Sequence, residues 1–519
     1  MLLSRNFTCT ALFAFSLLIL AISGCGDSSR EVDEELHTIR FATATPLQSF
    51  DPHLSDTGPT FTTYLTLVYD GLTSINPDDP LVPLPGLARE WTWLNDTTIE
   101  FKLVDNAVFS DGTLFDAEVA KANIERMLRL QGPRFNTMAS IRAIELIDAL
   151  TLRIHLHQRD PTLLQNLALS PGLMVSTAAF DKPDLDLNPV GTGPWRYDQV
   201  NSVIGEKHHF TPNPGYFDSA IRSEVNLEVQ ILRGNRTRLN ALIGGQTDLT
   251  PVTALEATQA LGAGFSIAKR ANRWFGFSIL DRSGELVPEL ADRRVRQALG
   301  FAVDRESLAD ALFFGYARPA SQPMRAGLGH VTELENFYRY DPDHARQLLK
   351  SAGIQGFTFT APITQGASSR YEAIQHYLRE VGIDMKLEIV EPGSVAALAR
   401  SKRYPVNTIA FPSFDPDSRH SAIWETTAVW NPFRNEGKRI SALANEAMTS
   451  ADEGLRELNY RKYFEIIVKD VHSMVYLQID DLLVYDSSKI TGVRVSTYID
   501  PHLRHVRLVQ NRAGSVDKH

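Results

Sequence analysis

The stretch from residue 341 to residue 390 restricts the fold more than any other part of the chain. Asp341 followed by Pro342 opens a helix, with an acceptor at the cap and a fixed φ at the first position. Ala345, Leu348 and Leu349 point inward, and Gly353 ends it. Residues 356–361 then form a strand, and Arg370 to Val381 a helix stopped by Gly382. Residues 384–390 (DMKLEIV) form a second strand, with Met385, Leu387 and Ile389 on one face. Strand, helix and strand in that order predict a parallel pair, because a helical crossover returns the chain to the same edge direction. The chain therefore belongs to the mixed α/β class.

The same grammar recurs elsewhere. Residues 97–104 (TTIEFKLV) alternate, with Ile99, Phe101 and Leu103 on one face. Residues 151–157 (TLRIHLH) do so with Leu152, Ile154 and Leu156. Between them Asp116 caps a helix running to about Leu130, with Val119, Ile124, Met127 and Leu128 as its apolar stripe. Asp304 caps a helix ending at Gly315, and Arg456 to Lys469 is amphipathic. There is no internal repeat, no low-complexity segment, and no Gly/Ser-rich linker between the halves. At 519 residues the chain carries more than one packed core, and short hinges between two α/β lobes fit this pattern.

The first residues read as an address. Arg5 supplies a positive n-region and Phe7 to Ile22 an apolar stretch too short for a membrane span. Ile22-Ser23-Gly24-Cys25 resembles the bacterial lipobox, which implies removal of residues 1–24, lipid on the Cys25 thiol, and a polar tether over residues 25–37. The other cysteine, Cys9, leaves with the signal, so no disulfide framework and no cysteine-based zinc site is expected. With 52 Lys and Arg against 62 Asp and Glu, the net charge is -10, which repels phosphate backbones and argues against nucleic acid as a partner.

The sequence carries no HExxH, GxSxG, CxxC or GxxxxGK motif. His155 and His157 share a strand face without a third ligand nearby, His208 and His209 point to opposite faces, and nothing pairs Asp248, Asp415 and Asp417 as acid and base. No cofactor, no metal and no catalytic residue is expected. An exported body without a chemical motif is more simply a binder than an enzyme.

Six ordered segments resemble the bacterial ABC-transporter extracellular solute-binding proteins of family 5, the peptide- and nickel-binding group. They are residues 46–53 (PLQSFDPH), 69–91 (YDGLTSINPDDPLVPLPGLAREW), 100–120, 190–197 (VGTGPWRY), 293–305 (RRVRQALGFAVDR) and 340–353 (YDPDHARQLLKSAG). The resemblance implies a two-lobed periplasmic-binding-protein fold, type II and cluster C-like, with a ligand cleft between the lobes. Lobe I would take residues 38–75, 190–270 and 480–512, an extra subdomain 76–189, and lobe II 271–479. The glycines of the GTGPW loop are read as allowing a tight turn fixed by Pro194.

The family's cleft loops map onto Leu47 to Asp51, Trp274-Phe275, Thr364 to Tyr371 and Phe411 to Asp417. Phe50 and Ser368 stand in two of them. By the same resemblance Asp415 pairs with a ligand amine, with Asp417 the competing choice. Arg370 is a candidate partner for a ligand carboxylate, and Trp274 and Phe414 for an apolar floor. The nickel branch has a His where this chain has Asp417, and an Arg in the strand aligned with residues 167–175, which here is LALSPGLMV. Chelated nickel is thus the poorer fit. The function implied is a monomeric, lipid-anchored extracytoplasmic receptor that closes on a solute, a peptide first, and hands it to an ABC permease. A metal chelate, opine or oligosaccharide is the alternative solute, and a tethered hydrolase the alternative class.

Overall fold

A computed structural model describes residues 38–55, 59–79, 81–391, 394–408, 410–411, 416–428, 430–435, 437–496, 498 and 501–509. The expected signal, tether and Cys25 lie outside these residues, as do Phe414 and Asp415.

The main sheet has nine strands. β1 (Thr38–Thr43) lies parallel to β8 (Asn226–Ile231) and β9 (Leu249–Val252). The hairpin β6 (Trp195–Val203) and β7 (Lys207–Pro212) extends it on one side, antiparallel. On the other side β9 pairs with β15 (Ser473–Tyr485), which pairs along its whole length with β10 (Ser266–Ile279). β14 (Val406–Asn407) closes that edge and β11 (Ala317–Pro319) lies beside β15.

β10 and β15 are the long members. Ser266–Arg270 pairs with Asp481–Tyr485 next to β9, and Arg273–Ser278 pairs with Ser473–Ile479 next to β11 and β14. The register shifts between Ala271 and Arg273, where an extra residue bends the ladder. The shift is flanked by an Arg273 Nε contact to Asp481 Oδ1 at 3.0 Å, and Arg325 donates to the Ala271 carbonyl at 2.6 Å. A second shift falls at Gly276, where a Cβ would stand 1.9 Å from the Met474 carbonyl oxygen. Glycine is required there by the close approach of the partner strand.

A second sheet, in the order β2 (Ala88–Asn95), β3 (Thr98–Leu103), β5 (Thr151–Leu156), β4 (Ile141–Asp148), is antiparallel throughout. Ile99, Phe101, Leu103, Leu152, Ile154 and Leu156 are buried and cluster with Val119, Ile124 and Met127 of α1 (Ala117–Leu130). The other face is a ladder of charges. Arg153 bridges Glu100 at 2.9 Å, and His155 meets Glu145 at 3.1 Å and the Thr98 hydroxyl at 3.2 Å.

The helix caps follow the expected chemistry. Asp116 accepts from the Val119 amide at 2.9 Å, Asp304 from Ser307 at 3.1 Å ahead of α2 (Arg305–Phe313), and Asp341 from His344 at 2.8 Å ahead of α3 (Pro342–Ser351). β12 (Phe357–Ile363) and β13 (Ile383–Ile389) are parallel, joined by α4 (Ser368–Glu380). α4 begins two residues before Arg370, on a 3-10 turn at Gln365–Ala367. β13 is buried at Ile383 and Met385, but Ile389 is 59% exposed because this edge strand outruns its cover. The GTGPW glycines are needed for proximity. A Cβ on Gly191 would lie 2.0 Å from the Val68 carbonyl oxygen, and one on Gly193 would lie 2.5 Å from that of Leu67. Neither has a positive φ.

Two buried ion pairs tie distant segments of the chain together. Arg126 grips Asp51 with both terminal nitrogens, at 3.0 and 2.7 Å, and meets His53 Nδ1 at 2.8 Å. Arg504 reaches Asp70 at 2.7 Å and donates to the carbonyls of Thr66 and Tyr69. Burial pulls the His53, His208 and His420 imidazoles down from 6.5 to about 4. In the unfolded chain these rings take up protons from about pH 6.5 downward, whereas the folded protein resists uptake until near 4. The unfolded state therefore binds more protons across that window, and stability must fall as the pH drops through it. Denaturant unfolding followed at about pH 7 and about pH 4.5 should show a lower midpoint at the acidic value, and the drop should shrink in a His208→Gln variant.

Candidate functional site

Two of the loops singled out from the sequence, at Thr364 to Tyr371 and at Phe411, meet β10 beyond its bulge. Beyond the bulge, β10 delivers Trp274 and Phe275. Trp274 is wholly buried. Its amide donates to the Phe411 carbonyl at 3.1 Å, and its ring stands 5.9 Å from the Phe411 ring, which in turn meets Trp430 at 5.5 Å. The indole Nε1 has no hydrogen-bond partner among the described residues. Trp274 thus packs beneath the loop and offers ligand no exposed ring, in contrast to its expected place as an open floor.

Phe275 packs against Tyr371 at 5.2 Å between ring centroids. The Tyr371 hydroxyl donates to the Gly276 carbonyl at 2.7 Å and the Thr408 carbonyl at 2.9 Å. Burial pushes this phenol up from its ordinary value and keeps it a donor. This contact, which sequence reasoning missed, locks the first turn of α4 to β10 and β14.

That first turn presents Ser368 and Arg370. No side chain caps α4, and its first turn has no acidic residue. The Ser368 amide is taken by the Gln365 carbonyl of the preceding 3-10 turn, while no side chain or acidic residue meets the positive end of the dipole. The Ser368 hydroxyl oxygen is buried with no partner among the described residues. Arg370 is partly buried. It donates to the Gly366 carbonyl at 3.2 Å and lies 5.9 Å over the Phe275 ring. Burial disfavours its charge, with Tyr371 the nearby group working the other way. A guanidinium, a hydroxyl and a helix start are groups whose chemistry suits a carboxylate.

The other predicted positions stand apart. Phe50 has no exposed surface. Its ring lies 4.7 Å from Tyr197 and 6.4 Å from Phe210, inside the core of the first sheet. Its place is structural, because the Arg126–Asp51 pair next to it draws this loop inward. Asp417 sits in the short helix Pro416–Arg419 and is buried. Its carboxylate accepts from Arg456 and from the Tyr460 hydroxyl, both on α5 (Glu453–Lys469). That removes it from reach as an amine partner and makes it a clamp between two helices. Sequence gave no sign of the clamp, because Asp417 and Arg456 are far apart in the chain. Among the described residues no group of three or more His, Cys, Asp or Glu side chains is placed to hold a metal, and no described helix is long and apolar enough to cross a membrane.

A nine-stranded sheet carried through two long strands, with loops gathered around their bend, defines a two-lobed α/β binding protein. The chain belongs to the bacterial extracellular solute-binding proteins of family 5, whose middle-region model matches residues 82–427. A glutathione-binding protein of Pectobacterium atrosepticum is 27% identical over 454 residues, covering 82% of this chain and 86% of its own. Among solved structures, the periplasmic binding protein DppA of Helicobacter pylori, in complex with the peptide STSA, superposes with a TM-score of 0.79 at 22% identity, over 92% of this chain and 100% of its own. NikA of Brucella suis, in complex with Fe(III)-EDTA, gives 0.80 at 21%, over 91% and 100%. The family and these neighbours are binding proteins.

Replacing Asp417 by Ala leaves the Arg456 guanidinium without its buried partner and should cost about 3–5 kcal/mol of stability. Calorimetry should show the lower melting temperature, and titration on the fraction still folded should show solute affinity unchanged. Loss of affinity in a folded sample would return Asp417 to the site.

Proposed function

We propose that this chain is the capturing component of an ABC importer and that its solute is a peptide, held by its terminal carboxylate at the start of α4. The observation that carries this reading is the Arg370 guanidinium, partly buried, with the Ser368 hydroxyl unpartnered beside an uncapped helix start. The relatives that bind glutathione and a peptide take ligands ending in carboxylates, which supports the same chemistry here.

In this reading residues 38–75, 190–270 and 480–512 form lobe I, residues 76–189 its extra subdomain and residues 271–479 lobe II. Closure bends β10 near Ala271 and β15 near Asp480, and ligand touching both lobes favours the shut state by its differential affinity. Asp415 takes the ligand amine. The receptor acts as a monomer without cofactor or catalytic step, tethered outside the cytoplasm by lipid on Cys25, and delivers its solute to permease subunits.

The test is a thermal-shift series on the folded body with di- to hexapeptides, free and C-terminally amidated. A ligand at 100 times its Kd adds about 2.7 kcal/mol. Free peptides should raise the melting point and amidated ones should not. Arg370→Gln should weaken binding by about 2–5 kcal/mol, the cost of truncating a buried charge-pair partner. Equal shifts from free and amidated peptides would overturn the carboxylate contact, and shifts only from a carboxylated non-peptide would move the reading to another solute. For the tether, a Cys25→Ala variant should appear in the soluble extracytoplasmic fraction, while one that still sediments with membranes would refute the anchor.

A further inference from the structure

Away from the interlobe loops, a cavity of about 310 Å³ opens between the second sheet and the base of the first. Pro85, Val104, Phe217 and Ile221 give it an apolar wall. Its floor is the Asp70–Arg504–Tyr216 network. Asp70 accepts from Arg504 at 2.7 Å, from the Tyr216 hydroxyl at 3.0 Å and from the Thr192 hydroxyl at 2.8 Å. Arg504 also donates to the Thr66 and Tyr69 carbonyls, both at 2.6 Å. The floor is thus internally satisfied and bears no net charge.

Two charges in the wall are not satisfied in this way. Arg89 is exposed and has no ion-pair or hydrogen-bond partner among the described residues. Asp218 accepts one side-chain bond, from the Ala220 amide at 2.9 Å, through a single carboxylate oxygen, and its charge also lies in the field of the Arg504 guanidinium. Asp70, Ser74, Gly86 and Arg504 also line a smaller inner chamber of about 10 Å³, about the space of one water. His502 lines that chamber, is 2% exposed, and has no hydrogen-bond partner at either ring nitrogen among the described residues.

The cavity is at the small end of the range for ligand sites, about 300–1,000 Å³, and has their usual make-up of apolar wall and few polar groups. One cation and one anion with spare capacity, set in an apolar wall, complement a zwitterion. We propose that this cavity binds a free α-amino acid with an apolar side chain. Its carboxylate pairs with Arg89, its ammonium with Asp218, and its side chain lies along Val104, Phe217 and Ile221. None of the interlobe loops contributes to the lining, so the site works independently of solute capture in the cleft. An occupant would brace the second sheet against the first.

The test is isothermal titration of the folded chain with L-leucine and L-phenylalanine, alongside phenethylamine and 3-phenylpropanoate, which each lack one of the two charges. Both amino acids should bind, and each single-charge analogue should bind about tenfold or more weakly than L-phenylalanine. Arg89→Gln and Asp218→Asn, both changes at non-core side chains, should each weaken the amino acid by about tenfold or more, while Arg370→Gln should leave it unchanged. No heat with either amino acid, or full binding in both cavity variants, would overturn the proposal. Binding lost in Arg370→Gln and kept in the cavity variants would place the amino acid in the cleft and equally overturn it. A failure of peptide binding leaves these readouts untouched.

Discussion

The antiparallel pairing of β10 with β15 is the contact on which the rest of the molecule depends. Twelve residues of β10 have a Cα partner on β15, and the pairing joins a half beside β9 to a half beside β11 and β14. A ladder of this length resists stretching and shear but bends where its register slips. One slip is at Ala271–Arg273, with Arg273 held to Asp481 beside it, and the other at Phe275–Gly276. The loops that converge nearby are held by β10: Phe411 through Trp274, and α4 through Tyr371 and the Gly276 carbonyl. The geometry of the candidate carboxylate site is therefore a property of β10 as much as of the helix that bears it.

What the sequence made legible was whatever is decided within a few residues. The caps at Asp116, Asp304 and Asp341 were readable because the acceptor and the amide it meets lie three positions apart. The parallel pairing of β12 and β13 was readable because a helix of fixed length lies between them. Phe50 and Asp417 were not readable. A phenylalanine in a loop is apolar whether it faces ligand or core, and only the Tyr197 and Phe210 rings across the sheet decide. An aspartate beside a proline reads as a free carboxylate until the helix carrying Arg456 and Tyr460 packs on it. Tyr371 was within a loop already singled out, but its two carbonyl partners come from Gly276 and Thr408, and no local pattern marks them.

The GTGPW segment shows how a motif can be recognised for one reason and exist for another. Its glycines suggest a turn. In the fold they are places where the backbone passes so close to Val68 and Leu67 that no side chain fits. The signal in the sequence was real, but the physical cause is interior packing between a strand start and a helix end.

The Asp70–Arg504 pair links positions 434 residues apart. During synthesis from the N-terminus, Asp70 and the carbonyls of Thr66 and Tyr69 emerge long before the Arg504 guanidinium that meets them. β9 likewise waits for β15. The first-made half therefore cannot reach its final state while the ribosome is still adding residues, and contacts this distant in sequence form slowly even afterwards. The first sheet thus closes only when two segments far apart in the chain meet, which makes its completion a late step of folding.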